Sequence, residues 1–147
     1  MNNKTYSSSL LILFLILCTH VYSQNKSGWE PMFLQVSGSN VMDGVEASFQ
    51  MGTCNNENVV YLKFVNKNSY PVKLEWFDAV FTQELKWVNK EGDANKRLLV
   101  LPAKSELVGS CVKAPAPELM VKLNDFITDK KNFKRYVSSQ LTITGTH

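Results

Sequence analysis

From Val45 onward apolar and polar residues take turns, with Val45, Ala47, Phe49 and Met51 alternating with Glu46, Ser48 and Gln50. A period of two marks a strand buried on one face, because successive side chains leave opposite faces of a pleated backbone. Asp43-Gly44 stands immediately before this run, with Val41-Met42 on its other side. Asp-Gly between apolar alternations specifies a type I′ hairpin, in which both central residues need positive φ. The same period returns in the β-branched and aromatic stretch Val59 to Val65 and at Val72, Leu74 and Trp76, and no long stripe of helical period accompanies it. The chain is therefore predicted to be all-β.

Other stretches fill in the count. Met32 to Val36 is a first strand candidate, followed by a break at Gly38 to Asn40. Gly52 to Asn58 reads as a polar loop holding Cys54, and Asn66 to Pro71 as a turn, since Asn and Ser bond their own backbone and Pro fixes φ. Ala79 to Val88 makes one or two strands broken near Thr82 to Glu84, Asn89 to Lys96 is a charged loop, and Leu98 to Leu101 is stopped by Pro102. Leu107 to Val112 and Leu119 to Leu123 are strand candidates on either side of an Ala114-Pro115-Ala116-Pro117 connector, which cannot enter a central ladder. Asp125 to Phe133 fits a short helical turn, and Tyr136 to Thr144 closes the chain as a strand. Seven to nine strands at this cadence, about 8 to 12 residues apart, belong to a sandwich or small barrel.

The N-terminus reads as a secretory signal. Lys4 precedes an apolar run from Leu10 to Cys18, and Val21 and Ser23 take the −3 and −1 positions if cleavage falls before Gln24. That run is far short of the roughly 20 residues a helix needs to cross a bilayer, so residues 1–23 are expected to be removed, with no transmembrane segment in the mature chain. Leu15-Ile16-Leu17-Cys18 approaches a lipobox, but Leu17 stands where a small residue belongs. Lipidation of Cys18 is the alternative to its loss with the signal. Residues 24–147 then form one domain of 124 residues, enough for a single core. Asn25-Lys26-Ser27 matches a glycosylation acceptor, which matters only in a eukaryote.

Export leaves Cys54 and Cys111, and an even pair beyond the membrane predicts a disulfide. The mature chain carries 15 Lys and Arg against 13 Asp and Glu. So even a balance leaves no global electrostatic footprint for nucleic acid. His147, at the last position, is the only histidine left. A nucleophile and base pair, or a zinc or copper site, lacks the residues it needs, and no cofactor is expected. Carboxylate chemistry needs only two acids, and Asp43, Glu46, Glu75, Asp78 and Glu84 are available, although strand and turn acids ordinarily face solvent. Glu91-Gly92-Asp93 lacks the dense ligand spacing of a calcium loop.

Trp76 and Phe77 are adjacent on a strand and must emerge on opposite faces. Trp76 is expected to anchor the core, while Phe77 is either covered by another layer or exposed, with Trp29, Phe81 and Trp87 near it in sequence. Exposed aromatics of this kind stack on sugars or seat a partner's side chain. Lys130, Lys131, Lys134 and Arg135, interleaved with Phe133 and Tyr136, form the one concentrated basic run. It is either a solvated face or a patch for anionic groups.

With Leu74-Glu75-Trp76 on one strand and a single disulfide, the mature region resembles small exported bacterial immunoglobulin-like sandwiches. The resemblance is one of architecture and implies no specific activity. It also departs from the antibody arrangement, since Trp76 follows Cys54 by 22 residues. Cys54 is accordingly expected in a loop, with the bridge clipping loop to strand. The reading is a secreted or periplasmic, non-catalytic binding or structural module with a protein or glycan partner. Its candidate contact residues are Phe77, Trp87, Lys130, Lys131, Lys134, Arg135 and Tyr136. Two alternatives stay open: an enzyme inhibitor presenting the loop Asn66 to Pro71 or Asn89 to Lys96, and a minimal carboxylate hydrolase.

Overall fold

A computed structural model describes residues 28–34, 38–112 and 117–146. The signal segment 1–23 with Cys18, the cut before Gln24, the Asn25 acceptor, Gln35 and Val36, the connector residues 114–116 and His147 all lie outside the described residues. The strands are β1 (Glu30–Pro31), β2 (Val41–Met42), β3 (Val45–Cys54), β4 (Glu57–Asn66), β5 (Val72–Thr82), β6 (Trp87–Asn89), β7 (Lys96–Leu101), β8 (Glu106–Val108), β9 (Met120–Lys122) and β10 (Phe133–Gly145). They build two antiparallel sheets stacked as a sandwich. In the first sheet β1 and β2 share one side of β3, β4 lies on the other, and β8 and β9 share the far side of β4. In the second, β5 is central, with β10 along one side and β6 and β7 along the other.

The alternation read from the sequence is what fills the space between them. Val45, Ala47 and Phe49 from β3 and Leu62 and Phe64 from β4 meet Val72, Leu74, Trp76 and Val80 from β5, Leu99 and Leu101 from β7 and Tyr136 from β10. Each of these side chains is buried, at about 1.5–3 kcal/mol for a large apolar one, an upper figure because the unfolded chain is already partly collapsed. Trp76 lies on Phe64 with ring centroids 5.3 Å apart, at the centre of this layer.

Turn chemistry sets the registers. Asp43 and Gly44 take φ 47° and 74° and close β2 on β3 with Met42 opposite Val45, the type I′ geometry expected of Asp-Gly. The loop expected from Gly52 to Asn58 is instead a second tight hairpin. β3 and β4 stay paired to Cys54 and Glu57, and Asn55 and Asn56 adopt φ 49° and 64°. Asparagine tolerates this left-handed region because its short polar side chain bonds locally, so Asn-Asn does here what Asn-Gly does elsewhere.

Cys54 is thus the last residue of a strand, and Cys111 lies in the segment after β8, the reverse of the expected placement. The two are bridged with Cα atoms 5.4 Å apart. Of the strand expected at Met32 to Val36, the described residues Met32 to Leu34 are not strand, and the pairing with β3 lies just before them at β1; Met32 and Leu34 still drop into the core, and Met32 N–H donates to the Ala47 carbonyl at 3.1 Å. The strand expected to Val112 stops at Val108, and the helical turn expected over Asp125 to Phe133 is two 3₁₀ turns, Leu123–Asp125 and Lys130–Asn132. Among the described residues no helix is long and apolar enough to cross a membrane.

Candidate binding groove along the last strand

Among the described residues β10 occupies one edge of its sheet and pairs only with β5. Its register slips at two places, between Phe133 and Arg135 and between Ser139 and Thr142, where one extra residue is accommodated each time and Gln140 takes φ 51°. Bulges of this kind bend an edge strand and re-aim its side chains. Between them Arg135 to Ser139 run in regular register opposite Phe81 to Phe77.

Beside this edge lies a groove of about 660 Å³. Phe33, Leu34 and Met42, from the segments around β1 and β2, form one bank, and Phe81 and Trp87 flank the other side. From β10 both Val137, opposite Ala79, and Ser138, opposite Asp78, line it. Neighbours in a strand point to opposite faces, so a cavity touching both reaches the strand's edge, and Phe81 and Trp87 continue it over the outer face of the sheet beside Arg135 and Val137.

The groove is apolar with a cationic end. Trp87 is 60% exposed and its ring sits 5.2 Å from that of Phe81. Lys134 Nζ lies 5.4 Å from the Phe81 ring centroid and the Arg135 guanidinium 4.6 Å from that of Phe33. Among the described residues neither cation meets a carboxylate, although six other Lys and Arg side chains do. Ser138 is buried, and its Oγ has no hydrogen-bond partner among the described residues. An interior hydroxyl left unpaired costs about 1–3 kcal/mol, and because the Oγ is closed off on the inward face beside Asp78 it is not presented to the groove.

The sequence candidates are therefore divided. Trp87, Lys134 and Arg135 converge on the groove. Tyr136 does not take part as a surface contact, being wholly buried between the sheets, because one residue beyond Arg135 the strand turns its side chain inward. Phe77 is also buried, on the outer face of β5 with Lys96 Nζ 6.0 Å from its ring centroid, so the covered alternative applies. Lys130 and Lys131 sit in the 3₁₀ turn before β10, capped by Asp129 accepting from the Lys131 N–H at 2.9 Å, away from the groove. Trp29 lies elsewhere, with Lys63 Nζ 5.1 Å from its ring centroid. Phe33, Leu34, Met42, Ser138 and Leu141 were not singled out from sequence. They carried no signal of the groove: Ser138 belongs to the alternating set Lys134, Tyr136, Ser138 and Gln140, which reads as a polar face, and its inward position follows only from its pairing opposite Asp78.

The acids weighed for hydrolysis have other occupations. Glu46, Glu75 and Glu84 pair with Lys67, Lys73 and Lys86. Asp78 is at the centre of a buried network: its Oδ1 accepts from Tyr136 Oη at 2.6 Å and Trp76 Nε1 at 3.2 Å, and its Oδ2 accepts from Arg97 Nε at 2.7 Å. Glu75 and Asp78 emerge on opposite faces of β5 and cannot share a cleft. Among the described residues no group of three or more His, Cys, Asp or Glu comes together around a metal-sized space.

No protein family, curated protein or solved structure matches the chain.

Proposed function

We propose that this chain is an exported, non-catalytic binding module of immunoglobulin-like layering that takes its ligand in the groove along β10. The observation that carries the reading is the convergence on one apolar channel of the cations Lys134 and Arg135, which meet no carboxylate among the described residues, and the exposed ring of Trp87. An apolar concavity with a few convergent polar groups is the usual form of a binding site. The disulfide supports life in an oxidising compartment, secreted or periplasmic. Two stacked antiparallel sheets around Trp76 support the immunoglobulin-like description, although the bridge ties strand end to loop at the rim of one sheet instead of crossing between sheets.

The test is a nuclear magnetic resonance titration of the mature protein with a random decapeptide pool, an oligosaccharide panel and sodium myristate. One class is expected to shift the Trp87 indole and the β10 resonances, and Trp87→Ala with Lys134→Glu and Arg135→Glu is expected to abolish the shift. Shifts confined to other surfaces, or none with any class, would refute the proposal.

One observation favours a second reading, a protease inhibitor using Asn66 to Pro71. That loop is held rigid by Asn66, whose Nδ2 donates to the Tyr70 and Pro102 carbonyls at 2.9 Å each. Stoichiometric inhibition across a protease panel would support it.

A further inference from the structure

Resting on the groove as the binding site, we infer that its occupant is an extended peptide that adds a strand to the free edge of β10, pairing with Arg135 to Ser139 and carrying an acidic residue for Lys134 and Arg135. The argument begins with the backbone. A strand held on one side only leaves every second N–H and C=O of its other side unpaired, and no backbone partner meets that side of β10 between Arg135 and Ser139 among the described residues. The groove lies against this same edge, so anything filling it covers those groups. A lipid tail would bury them without partners, whereas a peptide strand supplies the matching donors and acceptors.

The limits of the pairing are built into the strand. Bulges stand at both ends of the regular stretch, at Lys134 and at Gln140-Leu141. An added strand therefore finds about five residues in register, and the bulges deny the longer pairing that would let the edge aggregate with copies of itself. Side chains supply the selectivity. The bank of Phe33, Leu34 and Met42 suits apolar residues at alternate positions, since a bound strand presents every second side chain to one wall. Lys134 and Arg135, stacked on Phe81 and Phe33 with no carboxylate of their own, retain free donors for an aspartate or glutamate at one end.

The mature protein is used as bait for a phage-displayed library of random decapeptides, and a selected peptide is synthesised with and without N-methylation at alternate amides. The selected sequences are expected to alternate apolar residues and to hold Asp or Glu at a fixed offset. Methylation of the amides facing β10 is expected to weaken binding at least tenfold, as is Lys134→Glu with Arg135→Glu in a variant whose circular dichroism is unchanged. Bound peptide is expected to slow exchange of the outward amides of Arg135 to Ser139. Binding indifferent to methylation at every position would overturn the inference. If only myristate or an oligosaccharide shifts the groove resonances, the strand inference falls and the binding-module reading stands; if no probe reaches the groove, both fall.

Discussion

Asn66 and Tyr136 show how much single buried polar side chains decide in this molecule. Asn66 is almost wholly buried, and its amide donates to the Tyr70, Leu101 and Pro102 carbonyls while its Oδ1 accepts from the Asn68 N–H at 2.9 Å. One side chain thus ties the β4–β5 corner to the end of β7. Asn66→Leu removes these bonds and leaves the buried Leu101 carbonyl without the amide that meets it, and a loss of about 3 kcal/mol is expected in urea unfolding. A loss under about 0.5 kcal/mol, the size of a neutral surface change, would contradict this assignment. Tyr136 sets a pH limit. Burial first, and then the Asp78 carboxylate, hold its phenol well above the ordinary value of 10.0. The unfolded chain releases this proton above about pH 10 while the folded chain keeps it, so this contribution to stability is intact below that pH and is lost as pH rises beyond it. In an alkaline titration followed at 295 nm, Tyr136 is expected to ionise only as the protein unfolds, and Tyr136→Phe to flatten the alkaline loss. Ionisation near pH 10 with the fold intact would count against the network. Neither role was legible in the sequence, where Asn66 reads as a turn residue and Tyr136 as part of a basic surface run. Both depend on partners contributed by distant segments.

Strands were readable wherever local chemistry decides. The alternation in β3, the Asp43-Gly44 turn and the break after Thr82 follow from side-chain period and turn residues alone, and each stands close to where the sequence places it. The β3–β4 hairpin was missed because Asn55-Asn56 lacks the glycine that usually announces a type I′ turn. The β5–β6 turn holds a less expected residue. Leu85 adopts φ 62° and is 65% exposed. A leucine in the left-handed region costs roughly 1–2 kcal/mol, which Leu85→Gly would relieve at some cost in unfolded-state entropy. A net gain of up to about 1 kcal/mol in thermal unfolding is expected, and a net loss would show that Leu85 makes packing contacts that outweigh its backbone strain. The groove was beyond reading in sequence, since its lining residues come from three distant stretches, Phe33, Leu34, Gly38 and Met42, then Phe81 and Trp87, then residues within 134–141, and meet only when the sheets stack. Trp87, Lys134 and Arg135 were recognisable as unusual surface residues, but nothing in their spacing separates them from Lys130 and Lys131.

At the scale of the whole molecule, the disulfide and the open edge of β10 have separate tasks. The bridge closes a separation of 57 residues, and the chain-entropy argument assigns it about 4 kcal/mol through the unfolded state. Replacing Cys54 and Cys111 by serine is expected to lower stability by up to that amount while leaving the groove resonances unchanged, since neither cysteine lines it; a groove altered by this change would link the two. The open edge carries the functional account, and amide hydrogen exchange of the free mature protein tests it most directly. Between Arg135 and Ser139, alternate amides bonded to β5 should exchange only on global opening, while the intervening ones exchange at rates near those of an unprotected chain. Slow exchange at every one of these amides would mean that the edge is already covered, and the binding groove proposed here would have no strand to offer.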